Sequence, residues 1–360
     1  MSRADRLAEL AAERELDALL VREPTNLRWL TGFTGTNGLA VVEAGKEGRH
    51  TFVTDFRYVE RVASEVSDEF ERREGERDLL DGLGDVLPQS RPLRLGFDDA
   101  HTSVRDHRRL GEALEGVELV AASGLVERLR EIKEPGELDR IRAAAALADD
   151  ALRAMLERGL AGRTEREVAL DLEDAMRHHG AQEPSFPSIV AAGPYGALPH
   201  SEPRDVEIPR HALVIVDWGA RLEGYCSDCT RTFATGEVGA EPEEIYELVL
   251  EAQLAGLEAT RAGVSGRDAD AAARAIIEKG GHGERFGHGL GHGVGLLVHE
   301  DPRLAKTSEA TLAAGQVVTV EPGVYLPGRF GVRIEDLVVV TDDSREVGRA
   351  SCRERVYSNV

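Results

Sequence analysis

Residues 212–233 read ALVIVDWGARLEGYCSDCTRTF, and this stretch decides how the chain folds around its chemistry. Two strand-like runs, LVIVDWG and YCSDCTRTF, flank a short turn, and each carries an aspartate in a setting that favours apolar or β-branched residues. Asp217 and Asp228 stand eleven residues apart. A turn centred on Leu222 and Glu223 predicts that they oppose each other directly across the hairpin, on one face and about 5 Å apart. Carboxylates so placed repel, and they need a cation between them or a shared proton. The alternative is a solvated edge with two outward aspartates, which needs neither.

A second informative stretch is FGHGLGHGVGLLVHED, residues 286–301, with glycine at 287, 289, 291, 293 and 295. So much glycine argues against a helix. Read as a strand, it puts the glycines on one face, where backbone or ligand can approach closely, and His288 and His292 on the other. The two histidines are then about 13 Å apart and cannot share one ion. This excludes the helical two-histidine zinc motif, and no G-x-G-x-x-G or Gly-Lys-Ser/Thr is present to hold a phosphate. Further on, VVTVEPGVY ends an apolar run on Glu321, and FGVRIEDLVVV sets Arg333 and Glu335 on one strand face. A charged glutamate among β-branched residues must be paired or metal-bound. For Glu335 a plain salt bridge to Arg333 is the alternative.

Asp217, Asp228, His292, Glu321 and Glu335 thus make a set of four carboxylates and one imidazole. Four such charges in one cleft are untenable without cations, and two divalent ions neutralise them in sum. Oxygen donors with one nitrogen favour Mn, Co, Fe or Zn. Two ions about 3.5 Å apart suit metal-assisted hydrolysis.

Around these stretches the chain shows repeated order. From Leu16 to about Val120, apolar runs alternate with helix-like segments in an α/β pattern, and residues 25–38, TNLRWLTGFTGTNG, read as a turn-rich loop. A break follows at GLVERLREIKEPGELDRIR, where Pro135 opens a helix running to about Arg158. Thr164 and Glu167 form a capping box for the next helix, which stops at Gly180. Strand runs are expected near 188–192, 213–219 and 225–234. The order recurs: helices near 242–261 and 267–279, then strands near 285–299, 316–321 and 332–340. Two helices and then strands, twice over, predict two related halves packed face to face, with a ligand cleft on their seam.

Composition narrows the function. A length of 360 residues suggests about two domains. The start MSRADRLAEL lacks a signal-peptide core and no apolar run reaches about 18 residues, so we expect a cytoplasmic protein that does not enter the membrane. Against 66 acidic residues stand 44 basic ones, a formal charge of −22, which opposes nucleic-acid binding. The acid excess also suits a protein kept in concentrated salt. Cysteines are few, Cys226, Cys229 and Cys352, and the C-x-x-C has no partner pair for zinc; Cys226 and Cys229 are expected to be packed thiols in a strand.

The motifs DWGA, YCSDCTRTF, GHGVGLLVHEDP, VEPGVY and GVRIED, in this order, resemble the pita-bread metallopeptidases of the M24 family, the group of methionine aminopeptidase, aminopeptidase P and prolidase. The resemblance implies an α/β (α+β) architecture: a creatinase/prolidase-type N-terminal domain over residues 5–127 and a pita-bread catalytic domain of two pseudo-symmetric ααβ halves over 135–342. It implies that Asp217 chelates a first metal, His292 and Glu321 hold a second, and Asp228 and Glu335 bridge the two, with Mn first among the candidate ions. Glu321 would shuttle the proton, His200 and His299 would contact substrate and stabilise the tetrahedral intermediate, His288 would line the proline-side pocket, and Arg333 matches a family arginine beside the bridging glutamate. The N-terminal domain favours an Xaa-Pro dipeptidase or Xaa-Pro aminopeptidase over methionine aminopeptidase, and the chain length points to the dipeptidase acting on proline-containing peptides, with Xaa-Pro aminopeptidase as the alternative, in a homodimer. A metal-free creatinase-like hydrolase or a non-catalytic binding module would lack part of the ligand set. The chain departs from the family at its end: residues 346–360 lack an apolar pattern and read as a non-native tail.

Overall fold

A computed structural model describes residues 1–45, 48–88 and 92–342, together with the backbone of 345–347. The polypeptide divides after Arg130 into two units, Met1–Arg130 and Glu131–Val360. In the first, six strands, β1 (Ala18–Val21), β2 (Gly38–Glu43), β3 (His50–Thr54), β4 (Phe70–Glu74), β5 (Leu93–Phe97) and β6 (Val117–Ala121), form one sheet in the order β4-β3-β2-β1-β5-β6. The β1–β2 and β2–β3 pairs are antiparallel and the other neighbours parallel. Helices α1 (Arg3–Glu13), α2 (Pro24–Thr31), α3 (Val59–Glu65), α4 (Val104–Ala113) and α5 (Leu125–Arg130) complete it. Leu20, Leu39, Val41, Leu95 and Leu110 are in its core.

Helix α2 corrects the loop expected over residues 25–38. Pro24 occupies the first turn, the Glu23 side chain accepts the Asn26 amide, and Gly32 ends the helix at φ 85°. Leu27, Trp29 and Leu30 are buried, so packing of one apolar stripe outweighs the threonine and asparagine content.

The second unit repeats its own plan. Helices α6 (Pro135–Leu156) and α7 (Glu165–His178) precede β7 (Glu183–Pro184), β8 (Ile189–Ala192), β9 (Leu213–Trp218), β10 (Ala220–Leu222), β11 (Tyr225–Cys226) and β12 (Cys229–Ala234). Then α8 (Ala240–Ala259) and α9 (Gly266–Lys279) precede β13 (Gly291–Gly293), β14 (Glu300–Leu304), β15 (Val317–Val320), β16 (Gly323–Leu326), β17 (Phe330–Arg333), β18 (Asp336–Val340) and β19 (Arg345–Val347). The Thr164–Glu167 capping box is formed. Each half has its own core: Leu152, Leu172, Val216, Trp218 and Phe233 in one, Val249, Ile277, Val318, Val320 and Val338 in the other. Each such side chain, fully buried, contributes about 1.5–3 kcal/mol. The sheets of the two halves are β12-β9-β8 and β14-β13-β15-β18-β19, and the helices pack their buried residues against them.

Three strand expectations are corrected. The turn in the 212–233 hairpin lies at Glu223 and Gly224, both at positive φ (48° and 86°), and not at Leu222 and Glu223. Asp217 therefore pairs with Thr230, not with Asp228. The displacement is two residues in register, an even number, so both aspartates keep their face. The glycine-rich run is not one strand: only Gly291–Gly293 is extended. Its glycines are close-approach positions. A Cβ at Gly289 would stand 2.8 Å from the Leu304 carbonyl oxygen, and at Gly291 it would collide with the carbonyl of Thr319. Residues 332–340 split into β17 and β18, which belong to different sheets, so Arg333 ends one strand and Glu335 sits in the break. At the C-terminal end, Glu346 and Val347 pair with β18 as part of β19. The rest of the expected non-native tail, 348–360, lies outside the described residues.

Candidate metal centre and its cleft

Two strand breaks in the second half present the glutamates. Glu321 follows β15, where Pro322 stops the strand, and its amide donates to the Leu290 carbonyl at 2.8 Å; Glu335 follows β17, and its amide donates to the Thr230 carbonyl at 3.1 Å. Each glutamate is thus tied to a segment that carries other members of the set. Asp217 sits in the central strand of its sheet, between Ile189 and Thr230, while Asp228 precedes the first residue of β12.

These elements bring all nine sequence-predicted residues to one cleft of about 590 Å³: Asp217, Asp228, His292, Glu321 and Glu335, with His200, His288, His299 and Arg333. Oxygens of Asp217, Asp228 and Glu335 lie within 4.8 Å of one another. His292 Nε2 stands 3.7 Å from Asp228 Oδ2 and 3.4 Å from Glu321 Oε1. Two overlapping donor groups result, with Asp228 in both.

The ring of His292 is oriented for lone-pair donation. Its Nδ1 donates to the Gly293 carbonyl at 3.0 Å, which leaves Nε2 bare toward Asp228 and Glu321. Burial pushes its pKa down to about 3, so the imidazole is neutral. Burial pushes the carboxylates the other way. Asp217 is raised despite Arg333; burial and the neighbouring carboxylates raise Asp228 and Glu335 well above the usual range, and burial brings Glu321 to about 7. Asp217 Oδ1 is buried with no hydrogen-bond partner. An orphaned carboxylate oxygen, a bare imidazole nitrogen and carboxylates that resist ionisation form a donor set fitted to hard divalent cations.

Arg333 does not form the plain salt bridge to Glu335 that is the alternative reading. Its Nη2 donates to Asp217 Oδ2 at 2.6 Å, and its Nε donates at 3.0 Å to Thr230 Oγ1, which in turn donates to Glu335 Oε2 at 2.7 Å. The third nitrogen, Nη1, donates to Tyr325 Oη at 3.0 Å. His288 uses Nδ1 on the Gly289 carbonyl at 2.8 Å and Nε2 on the Tyr325 hydroxyl at 2.9 Å, so both its nitrogens are engaged away from the carboxylates. Burial lowers its pKa to about 4. His299 stacks edge-on against His292 at 4.3 Å between ring centroids, and partial enclosure with the Arg303 guanidinium lowers its pKa.

Sequence reasoning missed three residues of this network, Thr230, Thr319 and Tyr325. Thr319 Oγ1 accepts the His292 amide at 3.1 Å and reaches Glu321 Oε1 at 3.2 Å. The signal for the threonines was legible: each lies two residues from a carboxylate, Asp228 or Glu321, where strand alternation puts both on one face. Tyr325 gave none, because its role depends on a contact from Arg333 across the β16–β17 hairpin. The two thiols of the C-x-x-C are buried and point apart, Cys226 to the Leu296 carbonyl and Cys229 to that of Glu335.

Comparison with known proteins agrees with this geometry. The description "Metallopeptidase family M24" matches residues 139–342, and "Creatinase/Prolidase N-terminal domain" matches 3–132. A solved Xaa-Pro dipeptidase from Bacillus anthracis superposes with a TM-score of 0.93 at 40% identity, covering 98% of each chain. An X-Pro aminopeptidase from Thermotoga maritima gives 0.88 at 34% identity, covering 98% of this chain and 99% of the other. The Xaa-Pro dipeptidase of Pyrococcus furiosus is 34% identical over 345 residues, 95% of each sequence. With family matches over both units and a ligand-bearing cleft on the seam of two α-α-β halves, the chain belongs to metallopeptidase family M24 and carries the creatinase/prolidase N-terminal domain.

Proposed function

We propose that this protein is a dinuclear-metal Xaa-Pro dipeptidase, hydrolysing the bond before proline. The observation that carries the reading is the pair of overlapping donor groups that share Asp228. In it Asp217 would hold one ion, His292 and Glu321 would hold the other, and Asp228 and Glu335 would serve both. The ions, when bound, supply an activated water and polarise the scissile carbonyl. The chain's own residues do the rest. Arg333 holds Asp217 by Oδ2 and leaves Oδ1 free to bind. Glu321 would take the proton of the attacking water and pass it to the leaving proline nitrogen. His299 and His200, on the cleft wall, donate to the carbonyl oxygen as charge develops there. His288, neutral and engaged with Tyr325, lines the proline side.

The names of the relatives support dipeptides over longer peptides, since a dipeptidase stands at 40% identity and an aminopeptidase at 34%. The reading extends to Mn as the working ion, to a homodimer, and to a reducing cytoplasm, which the buried Cys226 and Cys229, held as thiols and not joined in a disulfide, support. The test is hydrolysis of Ala-Pro and of a longer Ala-Pro-peptide by protein loaded with Mn. Cleavage of the dipeptide alone is expected. Cleavage of both favours the aminopeptidase, and cleavage of neither by metal-loaded protein defeats the proposal.

A further inference from the structure

All but four of the 44 basic residues are arginine, and the lysines are Lys46, Lys133, Lys279 and Lys306. Among the described residues Lys133 is the buried one, while Lys279 and Lys306 are exposed. Its Nζ stands 3.4 Å from Glu300 Oε2, and the two side chains are only 1% and 8% exposed. The Lys133 amide donates to the Gly315 carbonyl at 2.9 Å, which pins the segment ahead of α6 against the second half.

The Glu300 carboxylate is wrapped by the segment that precedes it. Oε1 accepts the Leu297 amide at 3.0 Å. Gly295 leaves the space for it: a Cβ there would lie 2.6 Å from Oε2. Gly295 donates its amide to the Leu297 carbonyl at 3.0 Å and accepts the Cys226 amide at 2.8 Å. The residue between this curled loop and Glu300 is His299, whose ring lies against His292.

We propose that Lys133 and Glu300 are positioning residues that hold the 295–299 loop curled and so fix the His299 imidazole on the cleft wall. The inference rests on the role given to His299 above. A buried ion pair is a poor device for stability alone, because well-packed apolar residues of the same volume often serve equally well or better. It fixes geometry, since both charges stay buried only while they meet. The choice of lysine in an arginine-rich chain fits this. A compact ammonium on a flexible stem fits beside a carboxylate already committed to a backbone amide, whereas the planar guanidinium fork demands a wider acceptor face.

The experiment compares Lys133→Met, Lys133→Arg and Glu300→Gln with the wild type, all Mn-loaded, by amide hydrogen exchange and by steady-state kinetics on Ala-Pro. Exchange of the 295–299 amides should rise at least about tenfold in Lys133→Met and Glu300→Gln, with the β9 and β15 amides unchanged. Turnover should fall about 10–100-fold in both, with KM and Mn content within about twofold of wild type. Lys133→Arg, which keeps the charge and the fold, should not restore turnover. A variant that combines Lys133→Met with Glu300→Gln should be no slower than the worse single one. Unchanged exchange at 295–299, full rescue by arginine, or a loss confined to KM or Mn content overturns the inference. Raised exchange in a protein that cleaves no Xaa-Pro peptide supports the positioning of the loop and sinks the peptidase reading instead.

Discussion

At the scale of single residues, the buried Arg333 ties the acids of the centre together. Arg333 satisfies Asp217, reaches Glu335 through Thr230 and fixes Tyr325, so its three nitrogens serve three parts of the cleft. Arg333→Met should destabilise the metal-free protein by about 3 kcal/mol, since it strands a buried carboxylate, and lower kcat/KM about 10–100-fold. Urea titration after chelation and kinetics with Mn check this; a variant equal to wild type in both would refute the role. The titration of the cluster has a definite sign. Glu321, ordinarily at 4.5, is raised to about 7 and burial with the neighbouring carboxylates holds Asp228 and Glu335 well above their usual range, so the metal-free folded state keeps protons that the unfolded chain releases. Their contribution is complete below about pH 4 and is lost as pH rises through 7 and beyond. The buried His288 and His292, lowered from 6.5, act oppositely, but only below pH 6.5. Above about pH 6.5 the carboxylates therefore decide, and metal-free stability should fall as pH rises. Mn should abolish that slope. Melting curves with and without chelator that run parallel over this range would contradict the account.

At the scale of elements, the glycine-rich run shows what a sequence pattern states and what it leaves open. Alternate glycines signalled close approach, and the approach is real at Gly289, Gly291 and Gly293, where backbone carbonyls leave no space for a Cβ. The same alternation suggested one long strand, and that failed, since only three residues are extended. Alternation records which positions lack side chains, not how far the backbone stays extended. The contrast within the run makes a test. Gly291→Ala collides with the Thr319 carbonyl and should cost about 2 kcal/mol while loosening metal at His292. Gly287→Ala meets nothing within 4 Å and has no positive φ, so it should stay within about 0.5 kcal/mol of wild type. Equal stability and equal Mn affinity for both variants would sink the close-packing argument. The 212–233 hairpin teaches a related lesson. Glu223 and Gly224 adopt the left-handed values of a two-residue turn, a preference the glycine already announced, and moving the turn by one residue shifted the pairing by two without changing faces.

At the scale of the whole molecule, the net charge of −22 creates self-repulsion that salt should relieve. We hypothesise that the melting temperature rises between about 0.1 M and about 2 M KCl; a flat response, with full activity in dilute buffer, would remove the salt-adaptation idea.

The sequence by itself determined the two-part organisation, the doubled helix-then-strand plan and the identity of the charged residues, because periodicity, capping and improbable acids in apolar runs are local properties. Only the tertiary structure decided which charges meet. Arg333 bonds Asp217, 116 positions away, in preference to Glu335 two positions away, and Tyr325 and Thr230 join them across separate strands. The physical reason is that a buried guanidinium settles where its fixed fork finds all its acceptors at once, and that depends on how the two halves close on each other, not on spacing along the chain.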